Sequence, residues 1–262
     1  MVLYLILSSC ISFGAIYPLL CWTHYGVPVM TSFQRFNFCV ALFSISVALP
    51  CIVIIEGLSI SAGLTFAWLV VLLGLTAAYW NRESIHEWIV SVPSIFGILL
   101  LFRLAPNLVP DGAPSPLAFW TMFVVGGLIP TSAVYATIFG HWFLETKGRV
   151  PVLYLTNCVW LLGVVLGLRA AWDIVALFTM EARIFGEPVP LWSYLAHLDG
   201  ILLGAGILAG TILPLALVVM VHKTLKIRST TSATGLLYSM VIAILIGDMS
   251  YRYYAIAHGL VL

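Results

Sequence analysis

The last long apolar stretch of the chain, residues 233–259, reads ATGLLYSMVIAILIGDMSYRYYAIAHG and contains two charged side chains, Asp248 and Arg252. A helix that crosses the hydrocarbon layer of a bilayer needs about 20 apolar residues, because its backbone polar groups must be satisfied within the segment. This stretch is long enough to cross. Residues four apart lie on one face of a helix, so Asp248 and Arg252 can pair. The stretch therefore predicts a transmembrane helix that carries an internal ion pair.

The composition of the whole chain indicates the same class of protein. Of 262 residues, 11 are Lys or Arg and 10 are Asp or Glu, which is 8%, whereas 62% are hydrophobic. A water-soluble domain carries about 25% charged residues, so we expect the outer surface of this chain to face lipid. The net charge is +1, and no basic run is longer than the Lys223, Lys226 and Arg228 group. This pattern excludes nucleic acid as a partner.

Seven further apolar stretches precede the last one. Together they predict an all-α fold, a polytopic transmembrane helical bundle of about eight spans that forms one domain over residues 1–262. The predicted spans are 2–23, 35–56, 62–80, 88–107, 117–143, 151–171, 195–221 and 233–259. We interpret residues 2–23 as a retained span and not a cleaved signal, because no Lys or Arg precedes the apolar run. Residues 173–190 mix apolar and charged side chains, so we expect an interfacial helix there and not a ninth crossing.

The distribution of Lys and Arg predicts the side of the membrane that each connection faces. One side holds seven of them: Arg35, Arg82, Lys147, Arg149, Lys223, Lys226 and Arg228. The other side holds three: Arg103, Arg169 and Arg183. Because the richer side faces the cytoplasm, we expect both termini outside it, in a bacterial inner (cytoplasmic) membrane.

Ionisable groups inside a membrane are costly, so they mark ligand sites, proton relays or contacts that lock helices together. Predicted span seven begins near His197 and Asp199, and predicted span six ends near Arg169. With the predicted topology these residues share the outer leaflet with Asp248 and Arg252. One titratable cluster in one leaflet is typical of a quinone pocket or a proton relay, and it equally fits the polar seam of an assembly interface.

A second candidate site lies at the cytoplasmic end of span five, where residues 140–145 read GHWFLE. His141 and Glu145 are four residues apart and can form a hydrogen bond. An interfacial His beside a carboxylate is more often structural than a ligand. The specific alternative is that His141 binds a quinone carbonyl or haem iron, with Glu145 orienting the ring or carrying its proton.

A bound haem is the less favoured cofactor. A b-type haem needs two axial ligands at matching depth on facing helices. His141 could meet His222 near one membrane face, and His197 could meet His258 near the other. However, His197 and His222 are 25 residues apart on one helix, about 37 Å, so they mark its two ends. The identity of the cofactor stays open, with a quinone as one candidate.

The sequence shows no pattern for a resident metal or for catalysis. The five cysteines all lie in apolar stretches without CxxC or CxxH spacing, which argues against a zinc site or a disulfide framework. No nucleophile motif or phosphate-binding loop occurs, and no connection is long enough to fold as a separate domain. We therefore name no catalytic residue and no metal ligand.

Glycines four residues apart occur in two of the predicted spans. Small residues at this spacing lie on one helix face and let a neighbouring helix approach closely. We expect close helix packing at Gly163/Gly167, Gly200/Gly204 and Gly206/Gly210.

The stretch from Asp199 to Gly259 contains an acidic residue, a glycine-rich helix, a basic connection and the segment IGDMSYRYY over residues 246–254. It resembles the last two helices of polysulfide-reductase-type (NrfD-like) membrane subunits, the quinone-handling anchors of respiratory complexes. Arg252 and Tyr253 match the Arg-Tyr element of that family, whereas Asp248 matches no element that we can assign. The resemblance covers about a quarter of the chain, and it implies a membrane anchor that handles a quinone.

The leading hypothesis is an integral-membrane subunit of a respiratory or electron-transfer complex, with the lipid bilayer and other subunits as partners. In this role the chain anchors extrinsic redox subunits and binds a quinone near Asp199, Asp248 and Arg252. Two alternatives stay open: a transporter or ion-conducting protein, and a structural or assembly subunit. Transport predicts polar groups across both leaflets, whereas a structural role predicts that Asp248 and Arg252 pair with each other away from any cavity.

Overall fold

The structure is a computed structural model that describes residues 1–24, 31–81, 87–108, 116–146, 151–184 and 187–262. The chain forms, in order, α1 (Val2–Ile16), a 3₁₀ helix (Tyr17–His24), α2 (Thr31–Glu56), α3 (Ile60–Tyr79), α4 (Glu87–Leu108), α5 (Pro116–Glu145), α6 (Val152–Thr179), β1 (Glu181–Ile184), β2 (Glu187–Pro190), α7 (Leu191–Tyr194), α8 (Leu198–Ile207), a π-helical turn (Leu208–Ile212), α9 (Leu213–Lys226) and α10 (Thr230–His258). Three basic residues of the sidedness argument, Arg82, Lys147 and Arg149, lie outside the described residues.

Within the described residues, eight helical segments are long and apolar enough to cross a membrane, which confirms the predicted all-α bundle. The first span joins α1 to the 3₁₀ helix, and the seventh joins α8, the π-helical turn and α9. Eight crossings return the chain to the end at which it started. We name this the terminal end; it also holds the connection between α6 and α8. The opposite end is named the far end.

The expectation of an interfacial helix at residues 173–190 is wrong. Helix α6 continues to Thr179, and β1 and β2 then pair as an antiparallel hairpin. Pro188 and Pro190 lack the backbone N–H that a helix interior requires. In β1 the exposed and buried side chains alternate, with Ala182 buried, which is the period of a strand. The apolar residues that follow position 173 therefore belong to span six, which ends eight residues later than predicted.

Buried apolar side chains form two clusters. The first packs α1–α4 together and extends onto the terminal-end halves of α5, α6, α8 and α10, while the second lies on the far-end halves of α5, α6, α9 and α10. On α6 the clusters are separated by residues 167–175, and on α10 by residues 245–250. Arg169, Asp173 and Asp248 lie in these gaps. The molecule therefore contains a polar layer between two apolar ones.

Helix α10 touches the seventh span through glycine. A Cβ atom on Gly247 would lie 2.1 Å from the Cα of Gly210. A Cβ atom on Gly206 would lie 2.5 Å from the Cβ of Ser250 on α10. A larger residue at Gly247 or Gly210 would force the two backbones apart. This confirms the packing predicted at Gly206/Gly210. A Cβ on Gly167 or Gly204 would meet nothing within 4 Å, so the packing prediction is wrong at these two positions.

Candidate functional site

The structure pairs Asp248 with Arg252, as the sequence predicts. Arg252 Nε donates a hydrogen bond of 2.7 Å to Asp248 Oδ2, and the Arg252 side chain is only 2% exposed. Arg252 Nη1 donates to Ser12 Oγ of α1 over 3.3 Å. The guanidinium carbon also lies 5.4 Å from the centre of the Phe123 ring of α5. The pair therefore joins α10 to α1 and α5.

A second buried ion pair lies on α6, with the two residue types in the opposite order. Arg169 Nε lies 3.3 Å from Asp173 Oδ1. Asp173 Oδ2 accepts hydrogen bonds from the Tyr251 hydroxyl, 2.6 Å, and the Thr211 hydroxyl, 2.8 Å. The Arg169 guanidinium stacks 3.5 Å from the centre of the Tyr251 ring, a cation–π contact. These four side chains join spans six, seven and eight.

The π-helical turn positions Thr211. A π turn places one extra residue in a helical turn, and such turns occur frequently at functional sites. Gly210, in the same turn, contacts the backbone of Gly247 on α10. This close approach brings the Thr211 hydroxyl to 2.9 Å from the Tyr251 hydroxyl. The seventh span thereby supplies a hydrogen-bond donor to a carboxylate of the sixth.

The two ion pairs border a common cavity of about 10 Å³, whose wall includes Arg169, Asp248 and Tyr251. A cavity needs about 10–15 Å³ to hold one water molecule. With both carboxylates ionised, the formal charges of two arginines and two aspartates cancel. We use the name charge layer for this group, which consists of Arg169, Asp173, Thr211, Asp248, Tyr251 and Arg252.

Of the five polar groups that the sequence placed in one cluster, the structure brings three together: Arg169, Asp248 and Arg252. The prediction is wrong for His197 and Asp199. Both residues are exposed; His197 directly precedes α8, and Asp199 lies in its first turn. They therefore belong to the surface of the terminal end and not to the charge layer.

Depth explains this separation. Asp199 precedes Thr211 by twelve residues, about 18 Å along a helix. The backbone carbonyl of Asp199 accepts hydrogen bonds from the hydroxyls of Tyr254 and, over 3.4 Å, Tyr194. Burial, followed by the neighbouring Tyr254, raises the pKa of Tyr194 to about 12. This phenol is therefore protonated at neutral pH and can donate that hydrogen bond.

His141 and Glu145 form the predicted pair, with 3.3 Å between His141 Nε2 and Glu145 Oε1. Their side chains are 57% and 65% exposed, and exposed ion pairs contribute about 0–1 kcal/mol. Of the two histidines that a haem would need at this end, His141 packs against Tyr238 and His222 packs against Trp160. The pair lies on the surface of the far end, apart from the charge layer.

A cavity of about 470 Å³ lies between α5, α6 and the residues that follow α10. Its wall consists of Leu117, Ala118, Thr121, Met122, Val125, Gly126, Ile129, Val165, Leu168, Arg169, Trp172, Val261 and Leu262. Leu117 and Leu168 are 58% and 63% exposed, so the cavity opens sideways, toward the lipid. On α5 its wall runs from Leu117 to Ile129, about 18 Å along the helix. The cavity therefore extends from the terminal end to the middle of the bundle.

Arg169 is the charged residue in the wall of this cavity. In the part of the chain that the structure describes, its Nε and Nη2 atoms have no hydrogen-bond partner, and neither does Asp173 Oδ1. The 3.3 Å contact between the two residues is close enough for charge attraction but lacks hydrogen-bond geometry. A buried donor left unsatisfied costs about 1–3 kcal/mol. Arg169 therefore has more donors than the described chain satisfies, and its side chain lines the cavity.

The sequence prediction missed Asp173 and Thr211. Arg169 and Asp173 have the same spacing of four residues as Asp248 and Arg252, so the signal for the second pair was present. It was missed because predicted span six ends at residue 171. The role of Thr211 has no comparable signal, since a single Thr in an apolar helix is common and its position here depends on the π-helical turn.

The described residues define an integral membrane protein, with eight helical segments long and apolar enough to cross a bilayer. Comparison of the chain with protein-family models, with curated proteins and with solved structures found no match. Among the described residues, no group of three or more His, Cys, Asp or Glu is placed to hold a metal ion. The large cavity and the charge layer are therefore the features from which a function can be inferred.

Proposed function

We propose that the protein is a membrane subunit of a respiratory or electron-transfer complex and that it binds a quinone in the cavity between α5 and α6. The observation that carries this proposal is the position of Arg169, a buried guanidinium with unsatisfied donors in the wall of an apolar cavity that opens toward lipid. The resemblance of residues 199–259 to polysulfide-reductase-type subunits implies the same function.

The size and shape of the cavity support a lipid-soluble ligand. Ligand cavities in proteins have volumes of about 300–1,000 Å³ and mostly apolar walls with a few polar groups that orient the ligand. The present cavity, at about 470 Å³, has this character. A quinone dissolved in the bilayer can enter sideways, with its isoprenoid tail along the apolar wall and its head at Arg169.

The charge balance of the layer favours a neutral head group. The positive charges of Arg169 and Arg252 are already matched by Asp173 and Asp248. An anionic head, such as a lipid phosphate, would add an unbalanced charge in a low-dielectric layer, which is costly. A quinone carbonyl brings an acceptor without a charge. It can accept a hydrogen bond from the guanidinium of Arg169, the charged group in the wall of the cavity.

Asp248 and Arg252 have a different role in this proposal. They are hydrogen-bonded to each other, and neither lines the 470 Å³ cavity; Asp248 borders only the cavity of about 10 Å³, which has room for no more than a water molecule. This favours a structural role for the pair. The proposed quinone site therefore moves from Asp248 and Arg252 to Arg169. Among the described residues, the buried charged side chains all belong to the charge layer, so they do not continue into the far-end half as a charged transport path would.

A redox partner is part of the proposal, because a quinone in the membrane exchanges electrons only when a redox centre lies close to it. The cavity lies in the terminal-end half of the bundle, so we expect the partner's redox centre at that end. Copurification from native membranes should recover subunits that carry an electron-transfer cofactor. Repeated purification of the chain without any such subunit would contradict this part of the proposal.

The binding site is tested by removing both charges of the α6 pair. The double variant Arg169→Gln, Asp173→Asn keeps the layer neutral, whereas Arg169→Gln alone would leave Asp173 unbalanced. In lipid nanodiscs we expect the wild type to bind decylubiquinone saturably and the double variant to lose about tenfold in affinity, the equivalent of about 1.4 kcal/mol. Binding is followed by the quenching of tryptophan fluorescence, since Trp172 lines the cavity.

The matched control removes the other pair of titratable side chains, with His141→Gln and Glu145→Gln. This pair is exposed at the far end, so the control should bind decylubiquinone as the wild type does. Loss of binding in the control would move the site to His141. Absence of saturable binding to the wild type would refute the quinone proposal.

A further inference from the structure

We infer that Gly126 is the residue that opens the Arg169 guanidinium to the ligand cavity and so determines which head groups can reach it. This inference rests on the proposed function and deepens it, because it assigns a specificity-determining position to the same site. The position is on α5, opposite Arg169 of α6.

Gly126 lines both the 470 Å³ cavity and the 10 Å³ cavity of the charge layer. A Cβ atom built on Gly126 would lie 3.5 Å from Arg169 Nη1, and it would meet no other atom within 4 Å. The side that a larger residue would fill therefore faces the guanidinium and the cavity. It does not face a neighbouring helix.

The next residue along α5 provides the contrast. A Cβ on Gly127 would lie 2.7 Å from Ile16 Cδ1 and 2.9 Å from Ser12 Cβ. Gly127 is therefore a packing glycine that lets α1 approach α5. Gly126 has no such neighbour. Packing therefore explains Gly127, whereas the near neighbour of a Cβ at Gly126 would be the Arg169 guanidinium.

An alanine at position 126 should block this access without moving the helices. A methyl carbon at 3.5 Å from Arg169 Nη1 is in ordinary van der Waals contact with it. A hydrogen bond from a guanidinium N–H to a carbonyl needs a distance of about 2.7–3.2 Å between nitrogen and oxygen. The methyl group would occupy part of the space through which that oxygen approaches. Quinones with substituents beside the carbonyl should be excluded most strongly.

The access itself can be measured without a quinone. Phenylglyoxal is a neutral, apolar dicarbonyl that modifies arginine, and mass spectrometry of the nanodisc-embedded protein reports modification of Arg169. We expect Arg169 to react in the wild type and to react about tenfold more slowly in Gly126→Ala, because the methyl group covers Nη1. Gly167→Ala is the matched control, since a Cβ there meets nothing within 4 Å, and its rate should equal that of the wild type.

Two results would overturn the inference: an equal rate for Arg169 in Gly126→Ala and wild type, or no reaction of Arg169 in the wild type. Equal melting temperatures of Gly126→Ala and Gly167→Ala establish that a slower rate is not caused by unfolding. Arg252, which does not line the cavity, serves as an internal reference and should stay unmodified.

Decylubiquinone then separates this inference from the proposed function. If both hold, decylubiquinone protects Arg169 from phenylglyoxal, and its affinity falls about tenfold in Gly126→Ala. If Gly126→Ala slows the modification but decylubiquinone gives no protection, the quinone proposal fails and the role of Gly126 stands. If Gly126→Ala binds decylubiquinone normally while Arg169→Gln, Asp173→Asn does not, the role of Gly126 fails and the quinone proposal stands.

Discussion

At the scale of single residues, the two buried arginines differ in how completely they are satisfied. Arg252 donates to both Asp248 and Ser12. Arg169 is held by charge attraction to Asp173 and by stacking on Tyr251, and two of its nitrogen atoms lack an acceptor within the described chain. One arginine is therefore suited to joining helices, and the other leaves donors unsatisfied beside the ligand cavity.

The structural role of the Asp248–Arg252 pair can be tested by unbalancing it. Asp248→Asn leaves the Arg252 charge buried without its partner, and we expect the protein to lose about 3 kcal/mol of stability. Replacing both residues with apolar ones, Asp248→Leu and Arg252→Met, should restore most of that loss. Thermal unfolding in detergent measures both effects. A double variant that is as unstable as Asp248→Asn would show that the charge is not the cause.

Tyr251 offers a test that separates its hydroxyl from its ring. Tyr251→Phe removes the hydrogen bond to Asp173 and the polar contact with the Thr211 hydroxyl but keeps the ring on which Arg169 stacks. We expect a loss of about 1 kcal/mol in stability and an unchanged affinity for decylubiquinone. Tyr251→Leu also removes the ring, so the affinity should fall as Arg169 loses its support. Equal affinities of the Phe and Leu variants would show that the stacking does not position Arg169.

Residue spacing predicted part of the site. The i, i+4 rule found Asp248 and Arg252, and it would have found Arg169 and Asp173 if span six had been drawn to Thr179. His197 and Asp199 were misplaced because the start of an apolar stretch in the sequence does not give the depth of its first charged residue. Such a residue can stay at the surface, where its charge remains hydrated.

At the scale of elements, the contact between α10 and the seventh span organises the charge layer. Two adjacent residues of the π-helical turn make different contacts. Gly210 packs against Gly247 of α10, and Thr211 donates a hydrogen bond to the Asp173 carboxylate of α6. The sequence predicted the glycine contact and the eight spans, because long apolar runs and small-residue spacing are local signals. It did not predict the π-helical turn or the hairpin after α6, since the first depends on a neighbouring helix and the second on two prolines in a charged connection.

The backbone contact of α10 is tested with glycines of the same helix. Gly247→Ala would place a Cβ 2.1 Å from the Cα of Gly210, so we expect a loss of about 1–3 kcal/mol from overpacking. Gly235→Ala is the matched control, because a Cβ there meets nothing within 4 Å, and it should be neutral or slightly stabilising. Thermal unfolding of both variants provides the comparison. Equal stability of the two would contradict the close approach of the helices.

At the scale of the whole molecule, the buried charged groups of the described residues are placed asymmetrically across the membrane. The charge layer extends from the middle of the bundle toward the terminal end, and the ligand cavity lies in the same half. The far-end half has an apolar cluster at the corresponding depth. A quinone would therefore bind in one leaflet, and the orientation of the chain decides the side of the membrane from which a redox partner must reach it.

The positive-inside count predicts that orientation: the sequence assigns seven basic residues to the side of the far end, and with Arg169 inside the bundle the other side keeps two, Arg103 and Arg183. Alkaline phosphatase needs an oxidising compartment to form its disulfides. The enzyme should therefore be active when it is fused to the chain after Pro190 and inactive when it is fused after Arg228. A green fluorescent protein fused after Arg228 should fluoresce in the cytoplasm. The reverse pattern would place the cavity in the cytoplasmic leaflet. The site itself would be unchanged, but its redox partner would then have to dock from the cytoplasm.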